Sequence, residues 1–259
     1  MKLTFLGTGT SFGVPVVGCD CPACTSSDPR DRRSRHAAVL DLGAEGRLLV
    51  DTPPELRLQL VGAGIDRVHA VWYTHLHADH LHGIDDLRVF TVRSKRPFPA
   101  YVPEGEEEGL HRRFSYIFDP TVRPPRGSSK PLVRLHSLRE GEEREILGHV
   151  FTPVTVPHGP VSVYGFRVGE LGYITDGKRL PDATLEVLTG VRVLVLNALW
   201  FGNPHPTHFN VEEAVEAARV VGAERTYLTH LTHRVRHQEL LDWLPEGVEP
   251  AYDGLSVEV

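Results

Sequence analysis

Residues Thr74-His75-Leu76-His77-Ala78-Asp79-His80 follow directly on the apolar run Val68-His69-Ala70-Val71-Trp72-Tyr73. Three imidazoles and one carboxylate thus fall within six positions, where a β-rich run gives way to a loop that can aim them inward. Neutral imidazole and carboxylate oxygen together suit zinc, manganese or iron. Four candidate ligands this close exceed what one tetrahedral ion with an open position takes, so the stretch predicts two ions. His75 and His77 share one side of an extended backbone, while Asp79 and His80 lie past the turn and face a second position.

The pattern His-x-His-x-Asp-His resembles the signature of the metallo-β-lactamase superfamily. The resemblance implies an α/β (α+β) fold, an αββα sandwich of two mixed β-sheets with outer helices and a dinuclear site at one edge. It also implies three further ligands downstream, and candidates stand in order. His158 follows the strand-like Val150 to Val156, Asp176 ends Tyr173-Ile174-Thr175, and His230 ends Arg225 to Thr229. Carried over residue by residue, one metal takes His75, His77 and His158, the other takes Asp79, His80 and His230, and Asp176 bridges them. Asp51, where a strand gives out, is read either as support for a ligand histidine or as a turn cap.

All the cysteines sit in Gly18-Cys19-Asp20-Cys21-Pro22-Ala23-Cys24. An odd number of thiols, without a secretory signal, argues against a disulfide framework, and three thiolates so close favour a cation. The fourth ligand predicted is His233, three residues after His230, which would close a structural zinc site at the loop 18–25. The alternative is three reduced, unliganded thiols.

The cysteine cluster, the signature and the late Thr229-His230-Leu231-Thr232-His233 together are similar to the PhnP-like phosphodiesterases of the superfamily. This narrower resemblance implies two active-site divalent ions (Zn2+, Mn2+ or Fe) and one structural Zn2+. It implies metal-assisted hydrolysis of a small phosphorylated substrate, a ribosyl 1,2-cyclic phosphate or a 2',3'-cyclic nucleotide, and it suggests a homodimer. Asp79 is then catalytic as well as a ligand. His208 corresponds to the histidine set beside the substrate phosphate, a candidate general acid, with His205 competing for that role. Asp253 is implied to contact a ligand or a supporting histidine, the alternative being a plain β-turn aspartate. A thioesterase or lactonase would use the same ligands, a tRNA 3'-processing nuclease shares the site, and a non-catalytic protein resembling PqqB shares the cysteine-bound zinc.

The elements that must position these groups are read from periodicity. Strands are predicted at Lys2–Leu6, His36–Leu42, Arg47–Asp51, Leu132–His136, Glu143–Leu147, His149–Val156, Ser162–Val168, Gly172–Thr175 and Val191–Leu196, besides the runs before His75 and His230. Helices are predicted from Pro53 to about Val61 and at Leu81–Phe90, Glu104–Phe118, Pro181–Leu188, Val211–Val221 and Gln238–Leu244. His82 is expected to be exposed, and histidines 36, 69, 111, 136, 149 and 237 have no motif around them. The basic, proline-rich stretch 119–131, with Arg123, Arg126 and Lys130, is read as a connector or as a lid over an anionic substrate.

The 259 residues predict one domain, and 41% hydrophobic with 24% charged residues is globular composition. A net charge of -6 argues against an extended nucleic-acid surface. No apolar run approaches the roughly 20 residues of a membrane span, and a cytoplasmic protein is expected.

Overall fold

Alternation of apolar and polar residues in Lys2-Leu3-Thr4-Phe5-Leu6 makes a strand with one face for a core, and this is β1 (Lys2–Gly7), with Leu3 and Phe5 fully buried. The computed structural model describes residues 1–259. The first half continues with β2 (Ala37–Asp41), β3 (Arg47–Val50), β4 (Ala70–Trp72), β5 (Phe98–Pro103) and β6 (Val133–Leu138). The second half holds β7 (Arg144–Ile146), β8 (His149–His158), β9 (Val161–Val168), β10 (Leu171–Tyr173), β11 (Val193–Asn197), β12 (Arg225–Thr229) and β13 (Val248–Pro250), and β14 (Ser256–Glu258) ends the chain.

Two seven-stranded sheets result, ordered β14-β1-β2-β3-β4-β5-β6 and β13-β12-β11-β10-β9-β8-β7. Each has the same plan. From β14 through β3, and from β7 through β10, neighbours pair antiparallel; the remaining neighbours in each sheet pair parallel. The C-terminal strand thus occupies in the first sheet the place that β7 holds in the second.

The sheets pack face to face on an aromatic core in which Trp72 meets Phe166 and Phe166 stacks on Tyr173. A second apolar cluster lies under α1 (Leu56–Gly62), α2 (Ala78–Leu81), α3 (Arg88–Ser94), α4 (Glu107–Arg113) and α5 (Ser115–Phe118). A third lies under α6 (Asp182–Leu188), α7 (Val211–Val221) and α8 (His237–Trp243). The layering is α-β-β-α, as the resemblance implied. No helix is long and apolar enough to cross a membrane.

Several elements differ from the sequence reading, each for a local reason. The helix expected over 81–90 is split, because Gly83 passes so close to the Pro53 carbonyl that a Cβ there would collide. A helical turn therefore carries His80 on α2, and α3 starts only at Arg88. The surface helix expected over 104–118 breaks at Phe114, whose ψ of 47° leaves the helical region. Strand β5 was hidden by Pro99 and Pro103, residues that argue against a central strand, yet it lies between β4 and β6. The short strands β13 and β14 were also unread.

Candidate metal centre

The parallel strands end at one edge, and the chemistry collects there, as it does at the carboxyl ends of strands in open α/β sheets. Asp51 follows β3, the signature follows β4, Asp176 follows β10, the loop carrying His205 and His208 follows β11, and His230 follows β12. His158 is the last residue of β8. Three of these, Asp51, Asp176 and His230, adopt left-handed backbone at φ 62°, 55° and 57°. A strand that must stop and turn its next side chain inward reaches that region, which costs a non-glycine residue about 1 to 3 kcal/mol and is tolerated where surrounding structure enforces it.

The seven expected metal-binding residues converge. Donor atoms of His75, His77 and His158 lie within 4.8 Å of one another, and so do those of Asp79, His80 and His230. Asp176 sits between the two sets, its Oδ2 3.2 Å from His80 Nε2 and 3.7 Å from His75 Nε2, and its Oδ1 3.3 Å from His230 Nε2. His80 Nε2, His208 Nε2 and both ring nitrogens of His230 are buried without a hydrogen-bond partner. Buried polar atoms are rarely left so, and imidazole nitrogens gathered around two carboxylates are the donor set that a pair of divalent cations satisfies.

Supporting contacts fix which nitrogen points inward. Asp51 accepts from the Thr74 amide and hydroxyl, each at 2.8 Å, and its Oδ2 lies 2.6 Å from His80 Nδ1. Asp51 therefore ties the start of the signature stretch to the candidate ligand His80. His158 Nδ1 donates to the Thr207 carbonyl at 3.1 Å and leaves Nε2 to face the centre. Burial holds the His75 imidazole well below its ordinary range, reinforced by His80, so it is neutral and able to ligate. For His80 burial opposes the charge, but Asp176 and Asp51 outweigh it and lift the pKa well above the ordinary value. Burial likewise opposes ionisation of Asp176, and His230 and His80 overcome it, so the carboxyl stays charged.

A cavity of about 280 Å³ opens over these groups, with Pro160 as its only apolar lining residue. His208 lines it, its Nε2 3.5 Å from Asp176 Oδ2; His205 stands behind, away from the lining. Arg123, Arg126 and Lys130 are not among the residues that line this cavity, and Lys130 Nζ donates to the Asp119 carbonyl at 2.9 Å.

Asp253 requires a correction. It contacts no histidine; its two carboxylate oxygens take the amide and hydroxyl of Thr8 and of Ser34 at 2.7 to 2.8 Å. The oxygen atoms are saturated there, so it acts on the site only through the Thr8 segment, whose carbonyl accepts from the Leu231 amide.

His36 was missed. It is fully buried behind the centre, with its ring 5.4 Å from that of His80 and Nε2 2.9 Å from the Tyr173 hydroxyl. Ser11 was missed too and lines the cavity. Threonine immediately precedes His75, Asp176, His208 and His230. In the structure each of these hydroxyls serves the site, Thr74 on Asp51, Thr175 on Asp176 at 2.7 Å, Thr207 beside His208 at 2.9 Å and Thr229 beside His36 at 3.4 Å.

The second cluster gathers Cys19, Cys21, Cys24 and His233, with His233 Nδ1 at 3.2, 3.4 and 3.8 Å from the three sulfurs. The thiols form no disulfide. The Val16 amide donates to Cys24 Sγ at 3.2 Å. Although burial works the other way, the Cys24 amide and the neighbouring thiols draw Cys21 down to about 6, where it is largely thiolate at neutral pH.

Comparison with known proteins accords with this geometry. The β-lactamase superfamily domain matches residues 46–231. A crystal structure of a diphosphatase from the PhnP family superposes with a TM-score of 0.90 at 39% identity, covering 100% of this chain and 97% of that one. An octanoyltransferase of Porphyromonas gingivalis is 34% identical over 257 residues, 99% of this chain; the chain spans about half, 51%, of that relative's length. Ribonuclease Z of Mycobacterium sp. (strain KMS) is 26% identical over 298 residues, covering 100% of this chain and 96% of that protein. A matching family model, a closely superposing structure and a gathered donor set lead to one placement: the chain belongs to the metallo-β-lactamase superfamily, in its PhnP-like branch, and is a metal-dependent hydrolase.

Proposed function

We propose that this hydrolase cleaves small phosphodiesters through two divalent ions, one held by His75, His77 and His158, the other by Asp79, His80 and His230, with Asp176 between them. The observation that carries the substrate class is the cavity, small and polar, with His208 on its wall. The relative at 39% identity, named a diphosphatase, supports chemistry at phosphorus. Bound there, the ions would lower the pKa of a water and neutralise phosphoryl oxygens. The chain's own part is then orientation and proton handling. Asp51 and Thr207 hold His80 and His158 with Nε2 inward, and His208 Nε2 is placed to hand a proton to a departing alkoxide, a contribution of about 10²- to 10⁴-fold. Cyclic ribose phosphates fit this reading because their leaving group is a sugar hydroxyl. A third ion, zinc at Cys19, Cys21, Cys24 and His233, is proposed as structural.

Hydrolysis of bis(p-nitrophenyl) phosphate, a 2',3'-cyclic nucleotide, a dinucleoside diphosphate, p-nitrophenyl phosphate and an acyl thioester by metal-quantified protein tests the proposal. Turnover of diesters without the monoester is the expected result, and turnover of the thioester alone would overturn it. Thioester hydrolysis is the second reading because half of an octanoyltransferase aligns along this chain. An acyl chain would find only Pro160 as apolar lining, which favours the phosphodiester.

A further inference from the structure

His205 lies outside the cavity, yet its ring is held on both sides. The Trp200 and His205 rings meet edge to face, with centroids 5.5 Å apart at 82°, and the Arg234 guanidinium sits 4.3 Å over Trp200. Trp200 is fixed in turn by its Nε1, which donates to the Asn203 carbonyl at 2.8 Å. On the other side His205 Nδ1 lies 3.2 Å from His208 Nδ1.

Two ring nitrogens at that distance need one donor and one acceptor. The Thr207 amide settles which is which: it donates to His205 Nδ1 at 3.3 Å, so that nitrogen carries a lone pair and no proton. His208 Nδ1 must then be the donor, shared between His205 Nδ1 and Thr207 Oγ1 at 2.9 Å. A neutral His208 with its proton on Nδ1 leaves Nε2 bare, and Nε2 is the atom on the cavity side, 3.5 Å from Asp176 and otherwise without a partner.

We propose that His205 is a positioning residue for His208: its Nδ1, fixed as an acceptor by the Thr207 amide and clamped by Trp200, accepts a hydrogen bond from His208 Nδ1–H and so makes Nε2 the atom that takes up the proton released by the attacking water and hands it to the leaving alkoxide. This inference rests on the reading of His208 given above. It assigns to a neutral imidazole the work that a carboxylate performs in a triad, holding tautomer and ring orientation without itself touching substrate. The clamp also reaches the cysteine cluster, because Arg234 directly follows His233.

Four variants and one spectrum test it. Asn places Oδ1 close to where His places Nδ1. Accordingly His205→Asn should keep turnover of an alkyl-leaving diester within about 3-fold, whereas His205→Leu should lose about 10- to 100-fold there and little on a nitrophenyl ester, metal content unchanged. Adding His205→Leu to His208→Ala should cost nothing more, since both act on one proton. In zinc-loaded wild-type protein, long-range 1H–15N correlation should show His208 as the Nδ1–H tautomer, a readout that needs no variant to fold. Equal losses for Asn and Leu, additive losses in the double variant, or an Nε2–H tautomer would overturn the inference. Impaired His208→Ala with normal His205→Leu would overturn this inference alone; normal His208→Ala would overturn the reading of His208 as well.

Discussion

Asp51 shows how much of this centre depends on residues that face away from the cavity. Its carboxylate is fully buried, takes the Thr74 amide and hydroxyl, and lies 2.6 Å from His80 Nδ1. Burial pushes the carboxyl up, with His80 pulling the other way. Asn also tolerates the left-handed backbone found at this position, so Asp51→Asn isolates the charge and the acceptor from the fold. The expected outcome is a loss of about 10- to 100-fold in metal affinity, measured by titrating metal into the apo-protein, with circular dichroism unchanged. Wild-type affinity would mean that His80 needs no partner at Nδ1. Asp253, by contrast, spends its acceptors on Thr8 and Ser34, so its removal should loosen the first turn of the chain rather than a histidine.

The loop Gly18 to Cys24 is one element whose position depends on a single cluster. Its sulfurs surround His233, and a buried pair nearby, Arg33 with Asp31, ties the same segments: Arg33 donates to the Thr232 and Val235 carbonyls, and Asp31 accepts from the His237 amide. Replacing Cys21→Ser should remove close to one zinc per chain and lower Tm while turnover falls less, as read by elemental analysis, calorimetry and assay; unchanged zinc would refute a structural site. At this scale the sequence was an uneven guide. The signature, the cysteines and the strands before His158, Asp176 and His230 were legible because burial imposes apolar runs that end at polar ligands. What was not legible depended on close approaches absent from any local pattern: Gly83 against Pro53, Pro99 within a central strand, and His36, which has no neighbouring ligand in the chain yet packs on His80 and His230. The seven candidate ligands, in contrast, needed only types, spacing and a family resemblance.

Over the whole molecule the two sheets repeat one plan, and the candidate ligands divide between them. His75, His77, Asp79 and His80 come from the first half, whereas His158, Asp176 and His230 come from the second. On the proposed assignment each ion joins residues of both halves. An ion present at 1,000 times its dissociation constant adds about 4 kcal/mol to the folded state. Stripping the active-site pair should then lower Tm by on the order of 15 °C or more, seen by calorimetry before and after chelation and restored on adding metal. An unmoved Tm would separate metal from folding. The hinge between the halves is an exposed turn, Arg139 to Glu142, with Gly141 at a φ of 71° and no candidate ligand in it. Cutting there would yield two fragments that share an aromatic interface and a strand exchanged at the far edge, β14 alongside β1, but neither fragment would own a complete coordination sphere. Such a pair would be a split enzyme: the shared core would bring the pieces together, and turnover would return only when divalent metal joined them.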